Sequence, residues 1–208
     1  SKGRLIVARN DVSSTGIITN INILNCDFLG LKGPDITGIM IYSGLISDIT
    51  IKNNNFYDIN SNSQSRGAIG VMIGSKETNK TTNDVLISGN YFENIFGSAT
   101  DGIETHAIIV YGKNVNVMNN TVKNLNYGFD NEAIYLKAEN SKVSGNVLIN
   151  CTSIQGALST KGFAVGGNNV YTENKIISDQ EGKGIYIVAK GGRNPTVQNN
   201  FVKIFGGD

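Results

Sequence analysis

Tryptophan is absent from this chain of 208 residues, and proline (2), cysteine (2), methionine (3) and histidine (1) are scarce. Each shortage excludes something. Cys26 and Cys151 are too few for a disulfide framework and match no zinc-ligand spacing. No apolar run is long enough for a membrane-spanning helix. No segment sustains the 3.6-residue apolar period, so helix is nearly excluded. The formal net charge is only +1, and no basic run carries interleaved aromatics, so neither nucleic acid nor a membrane surface is indicated as a partner. The N-terminus enters an apolar segment at Leu5-Ile6-Val7 without the pattern of a signal peptide.

What is present is glycine (25), abundant asparagine, and isoleucine and valine in short runs. One pattern recurs: apolar, any, apolar, two residues, Asn, any, apolar. It occurs as Ile21, Ile23, Cys26, Phe28, then Ile49, Ile51, Asn54, Phe56, then Val85, Ile87, Asn90, Phe92, then Val115, Val117, Asn120, Val122. Its second half returns at Asn146, Asn174 and Asn200. Between copies lies a second strand signal opened by Gly or Ala. It reads Gly38-Ile39-Met40-Ile41, Ala68-Ile69-Gly70-Val71, Ala107-Ile108-Ile109-Val110, Ala133-Ile134-Tyr135-Leu136, Gly162-Phe163-Ala164-Val165 and Gly184-Ile185-Tyr186-Ile187.

A repeat of two short strands separated by Gly, Asn and Asp turns is a solenoid unit. A leucine-rich repeat shares the Asn or Cys position, but it needs a more constant repeat length, leucine rather than β-branched residues, and a non-strand second half. The expectation is an all-β, single-stranded right-handed parallel β-helix of about seven rungs, spanning 1–208 as one domain. Open strand edges at both ends predict a piece of a longer chain. The Asn column should form a structural ladder at a tight turn, because Asn tolerates the left-handed conformation and its amide bonds the rungs above and below. Cys26 and Cys151 lie four rungs apart, about 19 Å at roughly 4.8 Å per rung, so they read as small buried apolar residues rather than a disulfide.

Stacking also aligns the second strands. Two positions before the first apolar residue, the column reads Thr37, Gly67, His106, Glu132, Lys161, Lys183. Strict alternation would point these residues inward, but the intervening Gly or Ala suggests a bend. Four unlike titratable groups are also expensive to bury. The expectation is therefore the rim of an outer groove. Neighbouring outward columns add Tyr111, Tyr135, Lys137 and Tyr186, and Arg66 is the one charge of the early rungs within reach. Taken singly these are ordinary surface residues, and an exposed ion pair is worth about 1 kcal/mol or less. Together over adjacent rungs they suit a linear acidic polymer, with tyrosines stacking on sugars and cations meeting carboxylates.

Two chemistries fit. In β-elimination a base removes the proton α to a uronate carboxylate, a cation neutralises that carboxylate, and an acid protonates the leaving oxygen. Lys137 is the candidate base, with Lys161 or His106 as neutraliser or acid. Asp130, Glu132, Asp101 and Glu104 could supply oxygen ligands to Ca²⁺, or the paired carboxylates of a hydrolase.

The whole chain resembles the pectin-lyase-like β-helix superfamily, which holds polysaccharide lyases, hydrolases and phage tailspike depolymerases. The stretch from Asp130 to Gly162 is similar to the active-site region of the chondroitinase B and alginate lyase family. That family carries an acidic pair followed by a catalytic Lys, here Asp130, Glu132 and Lys137. Its next rung carries Gly-Ala-Leu-Thr-Leu-Arg-His-Gly, matched here by Gly156-Ala157-Leu158-Ser159-Thr160-Lys161-Gly162. The resemblance implies calcium ligands at Asp130 and Glu132 (with Asp101 in the region of a third), a base at Lys137, and an acid or neutraliser at Lys161. Lys replaces the family's Arg and so lacks its bidentate fork. The resemblance implies an extracellular lyase on an acidic polysaccharide, or a depolymerase on a virion surface, the latter as a homotrimer. A non-catalytic carbohydrate-binding β-helix is the further alternative.

Overall fold

The computed structural model describes residues 4–9, 16–63, 67–74, 82–97, 105–125, 131–151, 153, 156–160, 168–188 and 194–205. Among them there is no helix. The strands stack in three columns. The first column runs Arg4–Arg9, Thr37–Tyr42, Ile69–Ile73, the first half of His106–Met118, Glu132–Glu139, Leu158–Thr160 and Ile185–Ile187. The second runs Ile17–Leu24, Leu45–Lys52, Asn83–Ser88, the second half of His106–Met118, Lys142–Ser144, Val170–Thr172 and Thr196–Gln198. The third runs Asp27–Leu29, Asn55–Ser61, Tyr91–Gly97, Thr121–Leu125, Val147–Ile149, Lys175–Ser178 and Phe201–Ile204. Every strand pair in these columns is parallel. The result is a parallel β-solenoid. Its repeats resolve into about five turns with a neighbour above and below, flanked by an end rung on each side.

The repeat pattern explains the interior. Ile49, Ile51, Val85, Ile87, Val115 and Val117 point inward from the second column, and Phe28, Phe56 and Phe92 from the third. The three phenylalanines stack with centroids 4.5 Å apart at both steps and interplanar angles of 3° and 8°. Gly38 and Gly70 lie against the second and third of these rings. A Cβ on Gly70 would sit 2.7 Å from Phe92, which is why the strands facing these rings open with Gly; Ala opens the later strands, where Val122 and Leu148 replace the ring. In the outermost described rungs apolar residues are half-exposed: Leu5, Ile17 and Leu29 on one side, Val197, Phe201 and Phe205 on the other.

The expected Asn ladder is present and buried. Oδ1 of Asn90 accepts from the backbone N–H of Asn54 at 2.9 Å and from its Nδ2 at 3.0 Å. Nδ2 of Asn90 donates to Asn120 and to the carbonyl of Ile51. The same set repeats through Asn120, Asn146 and Asn174 to Asn200. Cys26 joins with its backbone N–H alone, so the side-chain ladder begins at Asn54. The left-handed residue is not the ladder Asn, as expected from the sequence, but the one before it: Asn25, Asn53, Gly89, Asn119, Gly145, Glu173 and Asn199 all have φ between 54° and 65°. The turn is made by one residue and the amide spine by the next.

Both cysteines are free thiols, as the rung count requires. Cys151 is buried, and its Sγ–H lies 3.0 Å from the carbonyl of Ile149. Burial pushes this thiol up to about 12. Cys26 is only half-buried, which departs from the fully buried reading, because its rung is the outermost one.

Two outcomes follow. Asn120→Ala removes two donated and two accepted bonds from the dry spine and strands groups on both neighbours, so urea unfolding should show a loss of about 3 kcal/mol or more. Asn200→Ala at the half-exposed end should cost about 1 kcal/mol. Equal losses at the two sites would contradict a spine buried from water. The Cys151 thiol stays protonated in the folded state while the unfolded chain ionises near its ordinary 9.0. The unfolded state thus binds fewer protons as pH rises, and this contribution to stability declines between about 9 and about 12. Cys151→Ala should flatten the pH dependence of the melting temperature in that window.

Candidate functional site

The first column positions the residues singled out by the sequence. Ala107 and Ile108 are successive and both belong to the core, so alternation breaks between them. His106 is thereby turned to the outward side, where its ring lies 5.2 Å from that of Tyr135. The expected bend is present. Beyond it alternation resumes: Val110 and Leu136 face the core, while Ile109, Tyr111 and Tyr135 form a separate outer cluster with Ile69 and Met72 against it. Register pairs His106 with Glu132 and Tyr111 with Lys137, as the repeat alignment required.

The exposure of this patch differs from expectation. His106 and Glu132 are wholly buried rather than at a solvated rim. Nδ1 of His106 lies 3.3 Å from Oε2 of Glu132 and 3.2 Å from the Glu132 carbonyl oxygen. Burying either group alone would be costly; each supplies polar surroundings for the other. Tyr135 and Tyr111 are 3% and 8% exposed, so little of either phenol meets solvent. Above them stands Lys137, half-buried, with Nζ 4.5 Å from the Tyr135 centroid and 5.1 Å from that of Tyr111. Phenol faces attract an ammonium, more so when partly desolvated.

A second pair of the same kind lies further along the column. Tyr186 is in register with Ser159, which is in register with Tyr135. Lys183 is exposed, with Nζ 4.5 Å over the Tyr186 ring. Two cation–tyrosine pairs thus sit on one face two rungs apart, roughly 10 Å at the interstrand spacing.

Two sequence alignments were displaced. In the second rung Val71 and Met72, not Ile69 and Gly70, match Ile108 and Ile109. Ile69 therefore replaces Gly67 in the His106–Glu132 column. In the fifth rung the partner of Ile134 is Leu158, not Phe163. Ala157-Leu158 and Gly162-Phe163 both read as strand openings, and the first forms the ladder. The fifth-rung position of the Glu132 column, two residues before Leu158, is therefore Gly156. Lys161, Arg66, Asp101, Glu104 and Asp130 lie outside the described residues.

Calcium was expected at Asp130, Glu132 and Asp101. Glu132, the described member, has both carboxylate oxygens buried, with Nδ1 of His106 3.3 Å from Oε2. Among the described residues no group of three or more His, Cys, Asp or Glu side chains is arranged to hold a metal ion.

The sequence reading missed a third cluster, on the outer face of the third column. Tyr57, Glu93 and Lys123 occupy one row in successive rungs, and Tyr91 lies beside them. The Tyr91 hydroxyl donates to Oε2 of Glu93 at 2.8 Å, and Lys123 Nζ lies 5.2 Å from its ring centroid. Burial, partly offset by Lys123, holds the Tyr91 hydroxyl above its ordinary range. The signal was available: the row is offset by one from the Phe56–Phe92 column.

No protein-family model, no curated protein and no solved structure matches this chain. The fold and the side chains are therefore the whole basis for a functional reading.

If His106 and Glu132 form a dry pair, His106→Ala should lower the unfolding free energy by about 3 kcal/mol. A solvated rim pair would lose less than about 1 kcal/mol. Chemical unfolding of the two proteins separates the cases.

Proposed function

We propose that the protein binds an acidic, uronate-containing polysaccharide across the outward face of the first column and cleaves it by β-elimination. The observation that carries the reading is the Lys137 ammonium seated over Tyr135 and Tyr111, with Lys183 over Tyr186 on the same face. Such a face offers cations to carboxylates at intervals along the stack. A parallel solenoid has the length and flatness a linear polymer requires.

Within this proposal Lys137 meets the reacting sugar, either taking the α-proton or neutralising the carboxylate. Tyr135 and Tyr111 fix its position, and the buried His106–Glu132 pair holds Tyr135 from beneath. No step is derived through calcium. Hydrolysis, as by a tailspike-type depolymerase, needs two carboxylates flanking the bond. Glu132 is buried against His106, which favours elimination over hydrolysis. The finer kinship with the pectin-lyase-like superfamily, and with its chondroitinase B and alginate lyase members, belongs to this proposal, as does action outside the cell or at a virion surface. One observation favours a second reading, that of a non-catalytic binding module: an ammonium held by two phenol faces suits carboxylate recognition as well as it suits proton abstraction.

Incubation with polygalacturonate, alginate and chondroitin sulfate tests both. Elimination creates an unsaturated sugar end, so ultraviolet absorbance should rise on one of them, and Lys137→Ala should slow the rise by about 100-fold or more. Reducing ends without absorbance would make the enzyme a hydrolase. Retention on an acidic glycan without any cleavage would leave the binding module.

A further inference from the structure

The second column carries a groove that the reading above does not use. It has a volume of about 380 Å³ and is lined by Asn20, Asn22, Asp48, Thr50, Asp84, Leu86, Asn114 and Asn116, with Ile49 and Val85 behind them. That size falls within the range of small-ligand sites.

Its two walls differ. One wall is the row Asn20, Asp48, Asp84 and Asn114, every member in the left-handed conformation with φ between 52° and 57°. This wall is braced from within the protein. Thr19 and Ser47 hydroxyls both lie on Oδ2 of Asp48, at 3.0 and 3.1 Å, and Nδ2 of Asn114 donates to Oδ1 of Asp84 and of Asn83. The other wall is the in-register row Asn22, Thr50, Leu86 and Asn116. Among the described residues, the side chains of Asn22, Thr50 and Asn116 make no hydrogen bond. The contrast with the buried spine is direct. There each amide satisfies the next; here Asn22 and Thr50 stand in adjacent rungs, and the half-buried Leu86 separates Thr50 from Asn116.

We infer that this groove is a second carbohydrate-binding site, and that it takes a neutral glycan. Amides and a hydroxyl offer paired donors and acceptors to adjacent sugar hydroxyls. Asp48 and Asp84 accept from further hydroxyls, and Leu86 meets the apolar C–H face of a pyranose ring. The lining contains two carboxylates and no cation, so a uronate is repelled. The first cation along the inner row is Lys142, the register partner of Asn116 beyond the groove's end. The site therefore differs in ligand charge from the Lys137 face and does not depend on it.

Affinity electrophoresis of the intact protein tests the assignment, in gels containing dextran, soluble β-glucan, galactomannan or xylan, with alginate as the acidic control. At least one neutral polymer should retard the protein. The double variant Asn22→Ala/Asn116→Ala should weaken that retardation about 10-fold or more, and Thr50→Val about 3-fold. Mobility in alginate should be unchanged in both variants, and Lys137→Ala should leave the neutral-polymer retardation intact. Thr50→Val keeps the shape of its side chain, so it reads the site even if the double variant folds poorly. The proposal is overturned if no neutral polymer retards the protein, if retardation is indifferent to all three positions, or if it is abolished by EDTA and so depends on a bridging cation.

Discussion

Everything outward on this molecule inherits its position from the buried asparagine spine. Each amide oxygen accepts from the backbone and side-chain N–H of the asparagine one rung before, and each amide nitrogen donates to a carbonyl of that previous rung and to the amide oxygen of the next. A slip of one residue would leave these groups unpaired in a dry interior and reverse the inward and outward faces of every strand. The spine thus fixes register to the residue, and register in turn decides which side chains become neighbours. His106 meets Glu132, Tyr111 meets Lys137, and Asn22 lines up with Thr50 and Leu86, although members of each set are separated by about a repeat in sequence.

The second constraint is steric. Stacked phenylalanine rings of the third column occupy the space opposite Gly38 and Gly70, so a Cβ is excluded there; in later rungs Val122 and Leu148 take the ring position and the opening is Ala. Two successive inward residues at that point swing the preceding one outward. The displacement is what gathers His106 and Glu132 under Tyr135. The candidate site is therefore a by-product of core packing, in which a histidine–glutamate pair is sheltered on the outside of the sheet rather than within it.

The period, the ladder position, the bend and the two key register pairs were legible in the sequence because the spine and the core demand particular residue types. The second-rung offset was not, because Ala68 and Gly70 both read as strand openings; packing against Phe92 selects Gly70. The fifth rung misled in the same way, with Ala157 and Gly162 in competition. Burial of His106 and Glu132 was illegible for a different reason. Parity states which way a side chain points, not whether its outer side is covered. The neutral groove was overlooked because asparagine in this chain reads first as a turn former, and only the coordinates separate the amides that satisfy one another from those that do not.

The two candidate surfaces share a scaffold and differ in charge: cations over tyrosine rings on the first column, amides and carboxylates on the second. On the proposed reading, an acidic and a neutral glycan, or two parts of one polymer, lie on adjoining faces set by the same register. The central claim, that the Lys137 face meets an acidic sugar, is tested most directly by a crystal structure determined after soaking with an acidic oligosaccharide. The account predicts a uronate carboxylate at Lys137 Nζ, with the sugar chain running across the rungs toward Lys183. A bound oligosaccharide whose carboxylates contact neither lysine would contradict it.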